Sequence, residues 1–252
     1  MSQTEMVTAV QTAGGPIEQA VAIFMLHPET FAGSVAAGYE NPFAGYVHGR
    51  GGVLPSATGE KVAESFVIFE PSFIESMWAE GSAVRSASEA ADLYWRQTAE
   101  FARKYLAGAE GLERIAELGE KVIVATPGED LPLYSGWRQM PLDNDPAARA
   151  LQVMFILREL RGDVHFAALR PSGIHPVEAH MLNKGREYTS MFGWPEPFAD
   201  GNDKKSLYEQ IEEITNKRMA EIFSTALSLE EAQELATLST DALTMLQANV
   251  PG

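Results

Sequence analysis

Cysteine is missing altogether from the 252 residues. That excludes disulfides, thiolate metal sites and a cysteine nucleophile, and it fits a reducing compartment. Long apolar runs are missing too: no window reaches the ~18 consecutive apolar residues that a membrane-spanning helix needs. The first fifteen residues (MSQTEMVTAVQTAGG) have neither the basic start nor the apolar stretch of a secretory leader. A cytoplasmic location with no membrane partner is therefore expected. Positive charge is scarce: 19 Lys and Arg stand against 35 Asp and Glu, a net charge of −16. Such a surface repels DNA and anionic membranes on average. Strand signals are nearly absent, with Val122–Val124 and a wing around Gly51–Leu54 as the only candidates. No phosphate loop, dinucleotide fingerprint, Gly-x-Ser-x-Gly or His-Glu-x-x-His pattern occurs.

What is present is helix. Residues 1–15 read as a frayed arm, with the first helix opening at Pro16, a good first-turn residue. Further helices are expected from Pro28 to Tyr39 and from Pro42 to His48. Gly49-Arg50-Gly51-Gly52 reads as a tight connection presenting a lone cation. Thr58 caps a helix to Phe69, and a second runs from Pro71 to Glu80, a pairing typical of helix-turn-helix units. Helices follow over 88–106 and 111–125. The stretch 130–141, with Tyr134 and Trp137, reads as a linker between halves or a lid over a pocket. Asp145-Pro146 opens a central helix to Leu169. Later helices span 176–184, 205–223, 228–238 and 240–248, with Ser228-Leu-Glu-Glu231 as a capping box.

The halves echo each other. His27-Pro28 answers His175-Pro176, and the segment 61–78 answers 206–223, at offsets of 145 to 148 residues. This predicts an all-α fold of two pseudo-repeated helix-turn-helix or winged-helix-like units, 1–130 and 131–252, packed around the central helix with a cleft between them. Neither unit carries a DNA-binding charge pattern. Residues 39–90 hold three basic side chains against seven acidic ones, and residues 175–252 hold six against thirteen.

The central helix carries the chemistry, in Leu157-Arg158-Glu159-Leu160-Arg161-Gly162-Asp163-Val164-His165. Arg158, Arg161 and His165 are spaced i, i+3, i+7 and share one face. Gly162 costs about 1 kcal/mol relative to alanine there and leaves room for a ligand. Two readings compete. In one, the arginines and carboxylates form an ion-pair lattice holding the halves together. In the other, Arg50, Arg158 and Arg161 bind a small polar or anionic ligand, since the guanidinium fork suits carboxylate or phosphate. His165, oriented by Asp163 or Glu159, is then a hydrogen-bond donor or a general base. Gly162 makes room and Trp137 covers the site. No metal site is expected. His165, His175, Glu178 and His180 are close in sequence but poorly spaced, and a metal or haem on His165 is a minor alternative.

These residues carry a resemblance. The nonapeptide is similar to the Arg-Glu-x-Arg-Gly-Asp-x-His signature of an actinobacterial family of helix-turn-helix-like proteins. Arg50-Gly51-Gly52 ahead of a helix pair broken at Phe69-Glu-Pro71 resembles the same family, as does Pro132-Leu133-Tyr134 before the central helix. The resemblance implies an all-α, two-unit fold with winged-helix character and implies no particular reaction. The histidines at 175 and 180 and the acidic C-terminal half depart from it and weigh against a DNA role.

Three functions are thus expected in order. The first is a small-molecule binder or acid–base enzyme, with a homodimer as one possible assembly. The second is a ligand-responsive DNA-binding regulator, and the third a protein–protein module.

Overall fold

The protein is described by a computed structural model covering residues 2–250. Capping chemistry sets most helix boundaries. Ser2 and Glu5 form a capping box at the start of α1 (Gln3–Leu26). Six helices begin on a proline at the first turn: α2 (Pro28–Ala36), α3 (Pro42–Gly51), α5 (Pro71–Ser82), α8 (Pro132–Trp137), α9 (Pro146–Leu169) and α10 (Pro176–Lys184). The others are α4 (Gly59–Ser65), α6 (Ala87–Tyr105), α7 (Leu112–Ala125), α11 (Arg186–Met191), α12 (Lys205–Ser224) and α13 (Leu229–Asn249). No strand occurs among the described residues, so the fold is all-α. No helix among them is long and apolar enough to cross a membrane.

α9 is the axis. From Ala150 to Leu157 it is buried on every side, with Leu151, Met154 and Phe155 fully enclosed. α1, α6, α7, α8 and α12 all pack against it, and one apolar core runs from Met6 to Leu246. Beyond His165 a smaller cluster of Phe166, Leu169, Ile174, Tyr208 and Ile211 joins the end of α9 to α10 and α12.

Several expectations need correction. The supposed frayed arm is the first half of α1. Met6, Ala9, Val10 and Ala13 form a buried stripe there, and α1 packs on α13; that burial carries the helix through Gly14-Gly15-Pro16. Gly51–Leu54 is the end of α3 and a turn, not a wing, and Val122–Val124 is helical. The two last helices are one, α13, because no Gly or Pro interrupts 229–249. The matched segments 61–78 and 206–223 also differ. The first is a helix pair, α4 and α5, broken at Glu70-Pro71, whose Glu70 carboxylate accepts from the Phe73 N–H at 2.7 Å. The second has no such break and is one continuous helix.

Candidate functional site

The second half of α9 turns from core to chemistry. Beside it lies a cavity of about 180 Å³, walled by α1, α3, α9, α10 and α12 and by aromatic residues near α4 and α11. Arg50, Arg158, Arg161, Gly162 and His165 all line it, so five of the seven residues singled out in the sequence converge. Asp163 and Trp137 do not line it.

Arg50 reaches the cavity from the last turn of α3, not from a loop. The glycines around it serve close packing. A side-chain carbon at Gly49 would meet the Tyr94 ring at 2.9–3.1 Å, and one at Gly51 would meet Val62 at 2.8 Å. Pressed against its neighbours in this way, α3 delivers Arg50 to Glu159 on α9. Nε and one terminal nitrogen of Arg50 each donate to a Glu159 carboxylate oxygen at 2.9 Å. The other terminal nitrogen donates to the Tyr46 hydroxyl at 3.0 Å, and the guanidinium lies 4.5 Å from the Phe66 ring centre. Arg158 adds a further donor to Glu159 at 2.9 Å. Burial pushes the Glu159 carboxyl up, but Arg50 and Arg158 outweigh it and hold it below its ordinary value.

A second network lies at the rim. Arg161 donates to Glu212 of α12 at 2.8 Å and lies 4.0 Å from Glu18 of α1. Lys184 of α10 donates to Glu18 at 3.1 Å. Four helices are thereby tied around one opening. His165 sits beneath, its Nδ1 3.2 Å from the Thr215 hydroxyl and 3.4 Å from Glu212. Burial pushes the His165 pKa down against the opposing pull of Glu212, which favours the neutral ring.

Asp163 and Glu159 do not orient His165 as expected; Thr215 and Glu212 take that place. Asp163 accepts the Tyr134 N–H at 2.9 Å instead, capping α8, whose own N-cap residue Leu131 makes no side-chain hydrogen bond. Residues two apart on a helix point to nearly opposite sides, which is why Asp163 and His165 part company. Burial raises the Asp163 pKa to about 7, with the Tyr134 N–H opposing. Trp137 is fully buried among Trp95, Phe155 and Tyr94 at ring distances of 5.1, 4.8 and 6.2 Å, so it is core and not a lid.

Sequence reasoning missed Glu18, Tyr46, Lys184 and Glu212. Glu18, Lys184 and Glu212 lie on helices that read as ordinary amphipathic surfaces and Tyr46 on a short buried one, and no local pattern marks them. His180, set aside in the sequence as a poorly spaced metal ligand, lines the cavity. His175 caps α10, its Nδ1 accepting from the Val177 N–H at 3.4 Å. Among the described residues no three His, Asp or Glu side chains converge in the manner of a metal site.

The helices that would face nucleic acid are acidic. α5 carries Glu75 and Glu80 and no cation. On α12, Lys217 lies 3.8 Å from Glu213, and Arg218 pairs with Glu221 at 3.0 Å.

No curated protein and no solved structure matches the chain. The model of a helix-turn-helix family does, over residues 10–250, which include every residue of the cavity wall. The chain belongs to that helix-turn-helix family.

Proposed function

We propose that this protein is a ligand-responsive regulator: a small molecule with an apolar body and a polar or anionic end occupies the cavity, and its occupancy governs a helix-turn-helix output on nucleic acid. The observation carrying the first half is the cavity itself, an apolar hollow with Arg158, Arg161 and His165 on one wall. Buried space flanked by a few convergent polar groups is the usual form of a small-molecule site. Family membership supports the second half. The rim network suits an effector site, because a ligand anion that draws Arg161 away from Glu212 and Glu18 loosens α1 and α12 from α9, with α10 still tied to α1 through Lys184.

One observation favours a second reading. α5 has no Lys or Arg, and on α12 Lys217 and Arg218 lie beside glutamates, so few free cations remain for the phosphate contacts that nucleic acid needs. On this reading the cavity is the working end, and the protein binds or transforms its ligand without nucleic acid. His165, kept neutral, then serves as the base and Arg161 as the electrostatic stabiliser.

Both readings predict a small-molecule adduct in native mass spectra of the purified full chain, lost on denaturation. Selection from a random duplex pool, run with the adduct present and after it is stripped, separates them. Enrichment of one sequence in only one of the two states supports the regulator. Absence of enrichment in both, at low salt, sinks the nucleic-acid output and leaves the second reading.

A further inference from the structure

The cavity wall describes its occupant more closely than a polar or anionic end, and the inference rests on the reading that the cavity binds a small molecule. Three features of the wall bear on the class.

The first is size. An engineered apolar cavity of about 150 Å³ admits benzene, so a hollow of this volume takes a body of one ring.

The second is charge. Arg50 saturates both oxygens of Glu159. Arg158 shares one of those oxygens, and the rest of its fork has no protein acceptor. Arg50, Arg158, Arg161 and Lys184 stand against Glu159, Glu18 and Glu212, four cations to three carboxylates, and Arg158, partly open to the cavity, has donors to spare.

The third is His180. It is 1 % exposed and lines the cavity, yet neither ring nitrogen makes a hydrogen bond. Its ring stacks on Phe192 at 4.5 Å and 14°, and Phe192 stacks on Phe69 at 3.8 Å and 7°, so the imidazole is held flat within an aromatic wall. Burial, assisted by the Lys184 charge and weakly opposed by the Tyr188 main chain, lowers its pKa to about 4. A neutral imidazole offers one donor and one acceptor; the Tyr188 main chain lies near enough to draw on one, and enclosing the other without a partner is costly.

We propose that the ligand is a one-ring carboxylate bearing a hydroxyl: Arg158 takes the carboxylate, the apolar wall takes the ring, and His180 takes the hydroxyl. His180 is then a specificity residue, since a site built to pair a hydroxyl discriminates strongly against the analogue lacking it.

The test uses the full chain, freed of any adduct, and isothermal titration calorimetry with four probes. These are 3-(4-hydroxyphenyl)propionate, 3-phenylpropionate, 3-(4-hydroxyphenyl)propionamide and p-cresol. The hydroxylated acid is expected to bind most tightly, with loss of either the hydroxyl or the charge weakening binding by roughly tenfold or more. His180→Leu should erase the hydroxyl preference and keep the acid-over-amide preference. Arg158→Gln should do the reverse. Should His180→Leu fail to fold, the ring-nitrogen NMR shifts of His180 in the native protein serve instead, and they should move with the hydroxylated acid and not with 3-phenylpropionate. Equal affinity for acid and amide, or a hydroxyl preference that survives His180→Leu, overturns the assignment. Binding of p-cresol with no gain from the carboxylate overturns the ligand class while the cavity reading stands. If none of the four binds, the ligand class falls, while the cavity reading stands or falls on the adduct in the native mass spectra.

Discussion

Two ion-pair clusters grow from the same nine residues of α9, and they do different work. The Arg50–Glu159 pair is dry, bidentate and closed by Tyr46 and Phe66. The Arg161–Glu212–Glu18–Lys184 ring is wet, single-contact and spread over four helices, its side chains a quarter or more exposed. Burial decides the contrast. A dry pair cannot be broken without stranding a charge, whereas a rim pair exchanges its partner for water at little cost. The lattice and the ligand-site readings of the nonapeptide are therefore not rivals: Glu159 is lattice, held by an Arg50 that borders the cavity with its fork already spent, while Arg158, Arg161 and His165 line the cavity.

The largest effect should come from breaking the dry pair. Glu159→Gln leaves Arg50 buried without its counter-charge and should cost about 3–5 kcal/mol in urea unfolding. The double variant Arg50→Met/Glu159→Leu should recover much of that loss. A double variant no better than the single would show that the pair itself, and not the stranded charge, holds α3 to α9.

Next is Asp163, whose folded pKa of about 7 lies above its ordinary 3.8. Its folded form holds a proton that the unfolded chain releases, so its contribution to stability is lost as pH rises from about 4 to 7. Asp163→Asn keeps the Tyr134 acceptor without the charge and should stabilise by on the order of 1–3 kcal/mol at pH 8, with no gain near pH 4. His48 and His180 act oppositely. Burial lowers both to about 4. Between pH 4 and 6.5 the unfolded chain binds protons that these folded rings refuse, so their contribution rises with pH. Denaturation midpoints of the native chain should climb across that window, and more steeply in Asp163→Asn.

A smaller gain is expected from Gly162→Ala. Nothing lies within 4 Å of an added side-chain carbon there. Relief of the glycine cost should add about 0.5–1 kcal/mol, or a melting temperature ~2–4 °C higher in calorimetry. The same methyl projects beside the cavity, so ligand affinity should fall as stability rises. The smallest effect belongs to the rim. Arg161→Gln should cost roughly 0.2–1 kcal/mol at low salt, shrinking further at high salt. A loss as large as that of Glu159→Gln would erase the distinction between the two clusters.

Most of the helices were legible because caps and prolines are local signals: Thr58, Asp145, His175 and Ser228 all sit at the starts they announce. The misreadings are of one kind. At Gly14-Gly15-Pro16 and at Gly49–Gly51, residues that read locally as breakers lie inside helices, because tertiary burial outweighs propensity. Part of the cavity was legible as well, since Arg158, Arg161 and His165 share a helix face. Its other half was not. Glu18, Lys184 and Glu212 come from three separate helices, and only the packing of α1, α10 and α12 on or near α9 brings them to Arg161. Asp163 was misassigned because sequence proximity to His165 conceals that they lie on opposite sides of the helix.

The breaker triplet in α1 has a kinetic consequence. Gly14 lines the cavity, and a side-chain carbon placed on it would lie 3.8 Å from the Arg161 side chain. Two residues on, Pro16 supplies no N–H to the carbonyl four positions back, and two glycines precede it. The helix wall is thus at its weakest beside the rim arginine, while Met6–Ala13 on one side and Ile17–Met25 on the other stay anchored in the core. Parting that single turn costs far less than unfolding the domain. On the proposed ligand reading, this turn is the cheapest place for a guest to pass, at a rate set apart from the lifetime of the fold.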